Sequence, residues 1–572
     1  MKPDFQKAHI SGVARVAAWS DVLDDINVFP VADGDTGRNL IISLTPLRYP
    51  QKDQEDTIHK LLFSARGNSG NIAVRFFSGF LTAESYEQLP QAAKTGRDQA
   101  WQAVGNPIPG TMLTVLDALV DFLERGDFED KKEYISEIID HLEKAVKSTP
   151  DLLPKLKQAG VVDSGALGMF IFFEGFFKSL IGQYNKFRPI TKIFKGMLEI
   201  APSYQVPMEE GYCVDMIIHC DDNAEEKVNR LRQCGDSVVV IPHKDYYKVH
   251  LHTDNSQETK TQIELLGNVV QWADDNIGNQ IKDFKQPHQE SAIHIMTDAA
   301  GSVTRQDSRE LGITLLESYI ISGDQSLPET FLSPTQLYQA MRKGVKVSTS
   351  QASVFERHQY YQRVLNQYPR VLYLCVGSVF TGNYTVAMEW KQKNDPDELL
   401  TVIDTTAASG RLGTIVMATA RYSAQADDPD DVIKFAQRAI VKCEEYVFLD
   451  KLKYLAAGGR LSKSSAFFGD ILHVKPIISP MAEGAKKVGA VKNQDEQLRF
   501  ALKKLEESFA KDSAPLIMLE YSDNRSWVND LVKKEIETRY PSSEILLKPL
   551  SLTSGVHMGP GTWAMAFLPE RV

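Results

Sequence analysis

The spacing of apolar residues changes near residue 200, and this change limits the possible fold more than any other feature of the 572-residue chain. Up to about residue 195, apolar side chains recur every three or four positions, as amphipathic helices require. In Tyr134–Val146, for example, Ile135, Ile139 and Leu142 fall on one helical face. No alternating segment interrupts this part, so we predict an all-α domain over residues 1–198.

A second pattern follows, with short segments that alternate like strands. Gly211–Cys220 is rich in β-branched and apolar residues, which favours a strand. In Tyr246–Thr253, apolar residues alternate with His250 and His252, so the two histidines are expected on one side of a strand. We predict a small α+β domain over residues 199–288.

In the remaining residues, 289–572, short strand-like segments alternate with helical segments, which indicates an α/β domain. The polar stretch Asp283–Ser291 is the predicted linker before it. A helix is predicted over Pro429–Tyr446. The predicted buried strands are Ala292–Met296, Arg370–Val376, Leu399–Asp404 and Leu516–Glu520. The expected fold class is therefore multidomain: helical, small α+β, and larger α/β.

Composition excludes several classes of protein. The chain has 64 Lys and Arg against 75 Asp and Glu, a net charge of −11, which argues against a nucleic-acid partner. Five scattered cysteines do not form a disulfide framework. The first residues lack an apolar region with a cleavage site, so we expect no secretory signal. The most apolar run, Gly165–Glu174, ends in a carboxylate before a membrane span is complete. We expect a soluble, cytoplasmic protein with at most peripheral membrane contact.

The run NVFPVADGDTGRN, residues 27–39, places Asp33 and Asp35 on either side of Gly34. Because glycine lets the backbone turn tightly, both carboxylates can converge on a hard cation such as Mg²⁺. On residue chemistry alone, a simple turn before a helix explains the run as well.

A glycine-rich run, ARGNSG at residues 65–70, lies between helical patterns. Successive backbone N–H groups at the start of a helix can hold phosphate oxygens, although an ordinary loop is the alternative. The run is neither a P-loop nor a dinucleotide fingerprint. Two further short runs, at residues 109–112 and 162–165, belong to the same domain.

Together these four runs resemble the nucleotide-binding domain of the dihydroxyacetone kinase L-subunit type, in the version found in the ATP-binding subunit of bacterial fatty acid kinase. The family pattern is NVFPVPDGDTGTN followed by ARGNSG, from which this chain departs at Ala32 and Arg38. The resemblance implies a barrel of helices with ATP at one mouth and two Mg²⁺ ions. It implies Asn27, Asp33 and Asp35 as metal ligands, the two aspartates being catalytic. It also places Thr36, Asn39, Asn68, Ser69, Gly110, Thr111 and Asp163 around the nucleotide.

Cys213, His250 and His252 form a second group. One thiolate and two imidazoles suit Zn²⁺ and leave one tetrahedral position open. Core or surface roles explain these residues equally well on chemistry alone, and His219 and Cys220 are rival ligands. The run KVHLHTDN, residues 248–255, resembles the middle domain of the same fatty acid kinase protein. That resemblance implies a metal site formed by the cysteine and both histidines, and we predict zinc.

Five short polar runs mark the C-terminal half: Thr297-Asp298 after its first strand, and the runs at residues 348–353, 376–383, 458–463 and 555–561. Hydroxyls and a histidine at strand ends can hold a carboxylate without a fixed ion pair, although turns and helix caps are the ordinary explanation of each run. A Ser-His hydrolase does not fit, because no Gly-x-Ser-x-Gly elbow is present among them.

In order and spacing, these runs resemble the DegV family of fatty-acid-binding proteins over nearly all of residues 290–572. The family implies two α/β lobes with an acyl chain in an apolar tunnel. Carried over, Thr349, Ser378 and His557 hold the fatty carboxylate, and Arg460 faces the kinase partner or the transferring phosphate. Ala352 and Val376-Gly377 depart from the family pattern.

The two resemblances in one chain predict a single-chain fatty acid kinase that converts ATP and a fatty acid into ADP and an acyl phosphate, for a downstream acyltransferase of phospholipid synthesis. A homodimer is the expected arrangement if one chain cannot bring its own two sites together. The alternatives are a lipid-binding regulator with a nucleotide-sensing domain, and a kinase for dihydroxyacetone or another polyol.

Overall fold

The computed structural model describes residues 2–49, 53–126, 131–184, 186–220, 225–284, 291–323, 325–457 and 474–569. The chain divides into two units, Met1–Gln286 and Pro287–Val572. The first unit contains both the helical segment and a four-stranded sheet, and the second unit is α/β. The coarse prediction of a helical N-terminal region and an α/β C-terminal region is therefore confirmed.

The first unit begins with helices, as the apolar spacing predicts. Within the described residues these are α1 Pro3–Asp25, α2 Thr36–Leu44, α3 Gln54–Ser64, α4 Gly67–Phe80, α5 Leu89–Ala103, α6 Met112–Leu123, α7 Lys131–Lys147, α8 Thr149–Leu152, α9 Pro154–Ala159, α10 Ser164–Leu180 and α11 Ile190–Ile193.

Helix α10 is buried on nearly all sides because α1 packs along it. Gly175 allows this approach: a Cβ there would lie 3.0 Å from the Ser11 carbonyl oxygen of α1. Glu174, fully buried in α10, is paired with Arg15 of α1 and lies 3.3 Å from Lys178. Pairing is what makes a buried charge tolerable, so the carboxylate that ends the apolar run is part of the core. Among the described residues, no helix is both long and apolar enough to cross a membrane.

The sheet of the first unit has the antiparallel order β2-β3-β1-β4. Its strands are β1 Tyr212–His219, β2 Asp236–His243, β3 Tyr246–Thr253 and β4 Asn268–Asn276, with helices α12 Glu225–Leu231, α13 Ser256–Glu264 and α14 Ile277–Phe284. One face carries an apolar cluster that includes Val214, Met216 and Val249. The opposite face is polar, because Cys213 pairs with His252 and Asp215 with His250, and directly paired residues share a face.

In the described residues of the second unit, three sheets are present. A parallel sheet has the order β11-β10-β5-β6, a mixed sheet has the order β14-β13-β12-β17-β15-β16, and an antiparallel sheet has the order β8-β7-β9. The strands are β5 His294–Asp298, β6 Thr314–Leu316, β7 Ser318–Ser322, β8 Gln325–Pro328, β9 Val347–Gln351, β10 Val371–Cys375, β11 Leu400–Asp404, β12 Glu444–Phe448, β13 Lys475–Met481, β14 Gly484–Val491, β15 Leu516–Tyr521, β16 Glu544–Pro549 and β17 Trp563–Leu568.

Helices lie between these strands in sequence, as the alternation of strand and helix patterns predicts. They are α15 Arg305–Leu311, α16 Pro334–Arg342, α17 Val354–Gln367, α18 Asn383–Asn394, α19 Ser409–Ser423, α20 Pro429–Lys442, α21 Lys453–Ala457, α22 Gln494–Ser508, α23 Arg525–Trp527, α24 Lys534–Arg539 and α25 Leu552–Met558. The helix predicted over Pro429–Tyr446 is too long. It ends at Lys442, because Glu444–Phe448 forms β12 and pairs with β17.

Candidate functional site

The end of α1 fixes the start of α2. Asp24 Oδ1 accepts hydrogen bonds from the backbone N–H groups of Gly37 (2.7 Å) and Arg38 (3.2 Å). These N–H groups belong to the first turn of α2, where no helical partner exists for them. A Cβ at Gly37 would lie 2.1 Å from the Ser20 carbonyl oxygen, so only glycine permits this close packing. Asp24 therefore positions the loop that carries the DGD run.

Asp33 and Asp35 lie in that loop and line the same small cavity. Gly34 between them has φ +62°, in the left-handed region that glycine occupies without strain. Asn27 donates from Nδ2 to Asp33 Oδ1. Burial, together with the neighbouring Asp35 charge, raises the pKa of Asp33. Two neighbouring carboxylates repel each other when both are ionised, so a cation between them would offset that repulsion.

Hydroxyl groups surround the carboxylate pair. Ser164 Oγ, at the start of α10, lies 3.1 Å from Thr36 Oγ1 and 3.2 Å from Asn27 Oδ1. Thr36 Oγ1 in turn lies 3.4 Å from Ser69 Oγ at the start of α4. Three helix starts therefore converge here, and helix starts favour negatively charged ligands such as phosphate.

The glycine-rich run forms the start of α4. Gly67 has φ +59°, and a Cβ there would lie 2.0 Å from Asn39 Nδ2, so glycine is required for both conformation and space. Its N–H donates to Asp215 Oδ2 at 2.8 Å, and Asn71 Nδ2 donates to Asp215 Oδ1 at 3.1 Å. The run is thus held from the polar face of the sheet, by a residue on β1.

Asp215 is itself buried and ion-paired. Lys248 Nζ lies 3.2 Å from Oδ1, and His250 Nδ1 lies 3.5 Å from Oδ2. Burial opposes ionisation, but these two neighbours keep the pKa of Asp215 below its ordinary value. One carboxylate therefore contacts both the glycine-rich run and the histidine pair.

Cys213, His250 and His252 form a cluster on the same polar face. Their ligand atoms all lie within 4.8 Å of one another, and Cys213 Sγ is 3.9 Å from His250 Nδ1. Burial lowers the pKa of His252 to about 3, so its imidazole is neutral at pH 7, the form that binds metals. His250 Nε2 is buried and has no hydrogen-bond partner in the described part of the chain. The donor set fits Zn²⁺.

A small cavity is lined by both the cluster and the carboxylates. Its volume is about 20 Å³, enough for roughly one water-sized group. Its lining residues come from both the helical segment and the sheet: Asn27, Phe29, Pro30, Asp33, Asp35, Thr36, Gly67, Asn68, Ser69, Cys213, His250 and His252. Six residues predicted around magnesium and nucleotide therefore face the same space as the three predicted around zinc.

Four other predicted nucleotide-site residues do not line this cavity. Thr111 caps α6 by accepting a hydrogen bond from the Leu113 N–H (3.4 Å), and the Gly110 N–H donates to Thr114 Oγ1 (2.7 Å). Asp163 caps α10 by accepting from the Ala166 N–H at 2.7 Å. Asn39 packs against Gly67. In this structure, Thr111 and Asp163 cap helix starts, and Asn39 supports the start of α4.

The raised pKa of Asp163 makes the stability of the folded chain depend on pH, which can be tested. Burial raises its pKa to about 7, whereas an unfolded aspartate titrates near 3.8. Between about pH 4 and 7 the folded chain retains a proton that the unfolded chain has lost, so stability falls as pH rises through this window. Asp163→Asn removes this titration, because asparagine is neutral and still offers an acceptor oxygen to Ala166.

We therefore expect Asp163→Asn to gain stability relative to the wild type as pH rises from 4 to 7, by at most about 1.4 kcal/mol per pH unit. Denaturant unfolding of both proteins at several pH values measures this difference. A constant difference across the window would contradict the assigned pKa.

The second unit brings together two of the residues predicted to hold a carboxylate. Thr349 Oγ1 on β9 lies 3.1 Å from His557 Nε2 on α25. Ser378 follows β10 at an exposed position, and its backbone N–H donates to Asp404 Oδ1 at 3.1 Å. Arg460 lies outside the described residues. The Thr349–His557 pair is the candidate acceptor site.

Sequence reasoning missed three acidic residues of the first unit: Asp24, Asp215 and Asp275. Asp275 on β4 pairs with Cys213, beside the metal cluster. A signal existed for Asp215, since an acid within an otherwise apolar strand requires a buried partner. Its partner Gly67 is 148 residues away in sequence, so the contact itself was not predictable.

Family models match three consecutive segments of the chain. Residues 30–178 match the DAK2 domain, and residues 209–284 match the FakA-like middle domain of fatty acid kinase. Residues 292–570 match the DegV family, whose members are described as uncharacterised.

One chain therefore contains a segment that matches the DAK2 domain and a later segment that matches the DegV family. More particularly, it carries a DAK2 domain, a FakA-like middle domain of fatty acid kinase and a DegV-family domain in tandem. This confirms the tandem arrangement that the sequence motifs predict.

Curated relatives include uncharacterized proteins of Staphylococcus. The protein of Staphylococcus saprophyticus is 30% identical over 368 residues, covering 56% of this chain and 65% of the relative. A protein of Staphylococcus aureus is 29% identical over 367 residues, with the same two coverages. The chain thus spans just under two thirds of the length of these relatives.

Solved structures similar to the chain include DegV-family proteins. A fatty-acid-binding DegV protein from Thermus thermophilus has 23% identity and a TM-score of 0.45, covering 49% of this chain and 99% of that chain. A fatty acid binding protein from Bacillus subtilis has 19% identity and a TM-score of 0.45, with coverages of 49% and 100%. A stearic acid-binding protein from Eubacterium ventriosum has 19% identity and a TM-score of 0.43, with coverages of 48% and 98%.

Proposed function

We propose that this chain is a fatty acid kinase that transfers the γ-phosphoryl group of ATP to a fatty carboxylate, giving ADP and an acyl phosphate. A carboxylate oxygen forms the new bond to phosphorus, and the bond from phosphorus to the β,γ-bridging oxygen breaks. One observation carries the proposal. The Cys213–His250–His252 cluster, within a segment that matches the FakA-like middle domain of fatty acid kinase, lines the same cavity as Asp33 and Asp35.

The donor site belongs to residues 1–198, proposed to form a barrel of helices with ATP at one mouth. Asn27, Asp33 and Asp35 would hold two Mg²⁺ ions, which supply charge neutralisation of the phosphates. Thr36, Asn68 and Ser69 would contact the phosphates, because they line the cavity beside converging helix starts. Asn39, Gly110, Thr111 and Asp163 would shape the nucleotide pocket.

The middle domain, proposed as residues 199–288, would hold Zn²⁺ through Cys213, His250 and His252. These residues fit the ion because the imidazole of His252 is neutral at pH 7 and His250 Nε2 is buried without a partner in the described residues. The zinc supplies a fixed positive charge when bound. Asp215 would then hold both His250 and the start of α4 in position, because it contacts His250 and the Gly67 N–H.

The acceptor site belongs to residues 289–572, proposed as two α/β lobes with a tunnel for the acyl chain. Thr349 and His557 would hold the fatty carboxylate, since their polar atoms are 3.1 Å apart and one oxygen can contact both. Ser378 and Arg460 would complete the site. The chemistry then requires positioning and electrostatics, with no protein nucleophile.

Joining donor and acceptor in one chain raises the effective concentration of one beside the other. Transfer within a homodimer is the arrangement if one chain's own sites cannot meet. We place the reaction in the cytoplasm, where ATP is abundant, with an acyltransferase of phospholipid synthesis as the consumer of the acyl phosphate.

Hydroxylamine trapping tests the proposal directly. Purified chain with Mg·ATP, oleate and hydroxylamine is expected to produce the hydroxamate of oleate, because hydroxylamine captures acyl phosphates. Saturable oleate binding without hydroxamate would instead support a lipid-binding regulator that senses nucleotide. ADP formation that depends on dihydroxyacetone would support a polyol kinase.

His557→Ala separates the two sites. Loss of one charge-assisted hydrogen bond costs about 1.5–3 kcal/mol, so the Kd for oleate is expected to rise roughly 10–150-fold. The Kd for ATP is expected to stay within about twofold. Titration calorimetry with each ligand measures both. His358→Ala, a half-buried histidine on α17, is the matched control. A defect confined to ATP binding would contradict the place assigned to His557.

A further inference from the structure

Arg38 places a guanidinium beside the carboxylate pair. It lies in the first turn of α2, at the position where the DGD pattern of the family has threonine. Its Nη2 is 3.5 Å from Asp35 Oδ2, and its side chain remains 31% exposed. The group is therefore close enough to neutralise Asp35 and is still in contact with solvent.

Two acidic residues contact Arg38. Asp35 in the loop lies 3.5 Å from its guanidinium, and Asp24 at the end of α1 accepts a hydrogen bond from its backbone N–H at 3.2 Å. Burial alone would lower the pKa of Arg38, but the charges of Asp35, Asp24, Asp275 and Asp33 outweigh it and raise that pKa. Arg38 thus supplies positive charge to a group of acids that would otherwise repel one another.

A divalent cation bound by Asp33 and Asp35 would compete with this guanidinium. Both positive groups would draw on the Asp35 carboxylate, and like charges a few ångströms apart repel each other. The side chain is 31% exposed, so it can turn toward solvent, from which the triphosphate would come. Arginine binds phosphate oxygens through two parallel hydrogen bonds, which a threonine at this position could not do.

We propose that Arg38 is an exchangeable cation of the nucleotide site, which neutralises Asp35 while no divalent ion is bound and contacts the phosphates of ATP once the ion is in place. The inference rests on the proposed function, because it assumes that ATP binds at this cavity. Arg38 would then be a phosphate-binding and catalytic residue, at a position where this chain departs from the family pattern.

The proposal predicts two effects of opposite sign for Arg38→Gln. Without nucleotide, the affinity for Mn²⁺, used as a spectroscopic probe for Mg²⁺, is expected to rise about fivefold, because a competing charge is gone. The affinity for the non-hydrolysable analogue AMP-PNP with Mg²⁺ is expected to fall at least about tenfold, because a charge-assisted contact is lost. Turnover in the hydroxylamine assay is expected to fall by more than the analogue affinity does.

The measurements use the full chain with zinc present. Electron paramagnetic resonance gives free Mn²⁺, and calorimetry gives AMP-PNP affinity. Arg38→Lys keeps the charge and should restore Mn²⁺ affinity to the wild-type value while recovering only part of the AMP-PNP affinity. Arg38→Thr, the residue of the family pattern, is a second neutral variant, expected to behave as Arg38→Gln does. Arg125→Gln, an exposed arginine just after α6, is the control.

The outcomes separate this inference from the proposed function. Unchanged affinities in both neutral variants would overturn the role of Arg38, and so would parallel losses of Mn²⁺ and AMP-PNP, which indicate only structural damage. A wild-type chain that binds no AMP-PNP would contradict the proposed function and the phosphate contact with it. The Mn²⁺ comparison would still decide whether Arg38 competes with the ion.

Discussion

Asp35→Ala is expected to lower acyl phosphate formation about 10³-fold or more while leaving the fatty acid bound. Asp35 is one of two carboxylates in a tight turn and lines the cavity beside the glycine-rich run. Its loss removes a ligand of the cation that neutralises the transferring phosphoryl group. That neutralisation contributes several kcal/mol, and each 1.36 kcal/mol corresponds to a factor of about ten in rate.

The hydroxylamine assay gives the rate for this variant, and native mass spectrometry shows whether lipid is retained. Asp121→Ala, an exposed aspartate on α6, is the matched control and should keep wild-type turnover. Lipid lost from Asp35→Ala but not from the control would contradict the separation of donor and acceptor sites. Normal turnover would exclude Asp35 as a magnesium ligand.

Cys213→Ser is expected to abolish zinc binding at the middle domain. The wild type should carry about one zinc ion per chain in this cluster. Serine replaces a thiolate with a much poorer ligand, so the loss should exceed the roughly 10–100-fold that removal of an outer-shell partner costs. Burial, and then the surrounding carboxylates, raise the pKa of the Cys213 thiol. Zinc must therefore displace a proton, and its affinity should rise with pH.

Cys220→Ser provides the control for that experiment. Cys220 lies on the apolar side of the same sheet, where its thiol donates to the Leu266 carbonyl oxygen at 3.5 Å. This variant should keep its zinc in native mass spectra and in chelator competition. Zinc lost from Cys220→Ser and retained by Cys213→Ser would show that the ligands had been assigned to the wrong face.

Secondary structure that repeats apolar residues at a regular spacing was predictable from the sequence. The helices of the first unit and the alternation that places His250 and His252 on one face follow from residue spacing alone. Strand β4 was not predicted, because this edge strand is only partly buried and its apolar residues are few. The overlong helix after Pro429 has a similar cause, since only pairing with β17 shows that Glu444–Phe448 is a strand.

The candidate site was predictable only in part. The motifs supply Asp33, Asp35 and the glycine-rich run, and the resemblance supplies Cys213 as the partner of the histidines. That all of them line one cavity depends on contacts between distant parts of the chain. The hydrogen bonds of Asp215 to Gly67 and Asn71 span 148 and 144 residues, and no spacing rule reveals such pairs.

The carboxylate of Asp215 also limits which parts of the first unit can be removed or replaced separately. A truncated chain that stopped before β1, or a chimaera with a foreign sheet lacking this acid, would deprive the Gly67 N–H and the Asn71 amide of their acceptor. Each such donor, if left buried, costs about 1–3 kcal/mol, and the turn would relax to find water. When parts are exchanged between related chains, the helices and the sheet of the first unit should therefore be moved together.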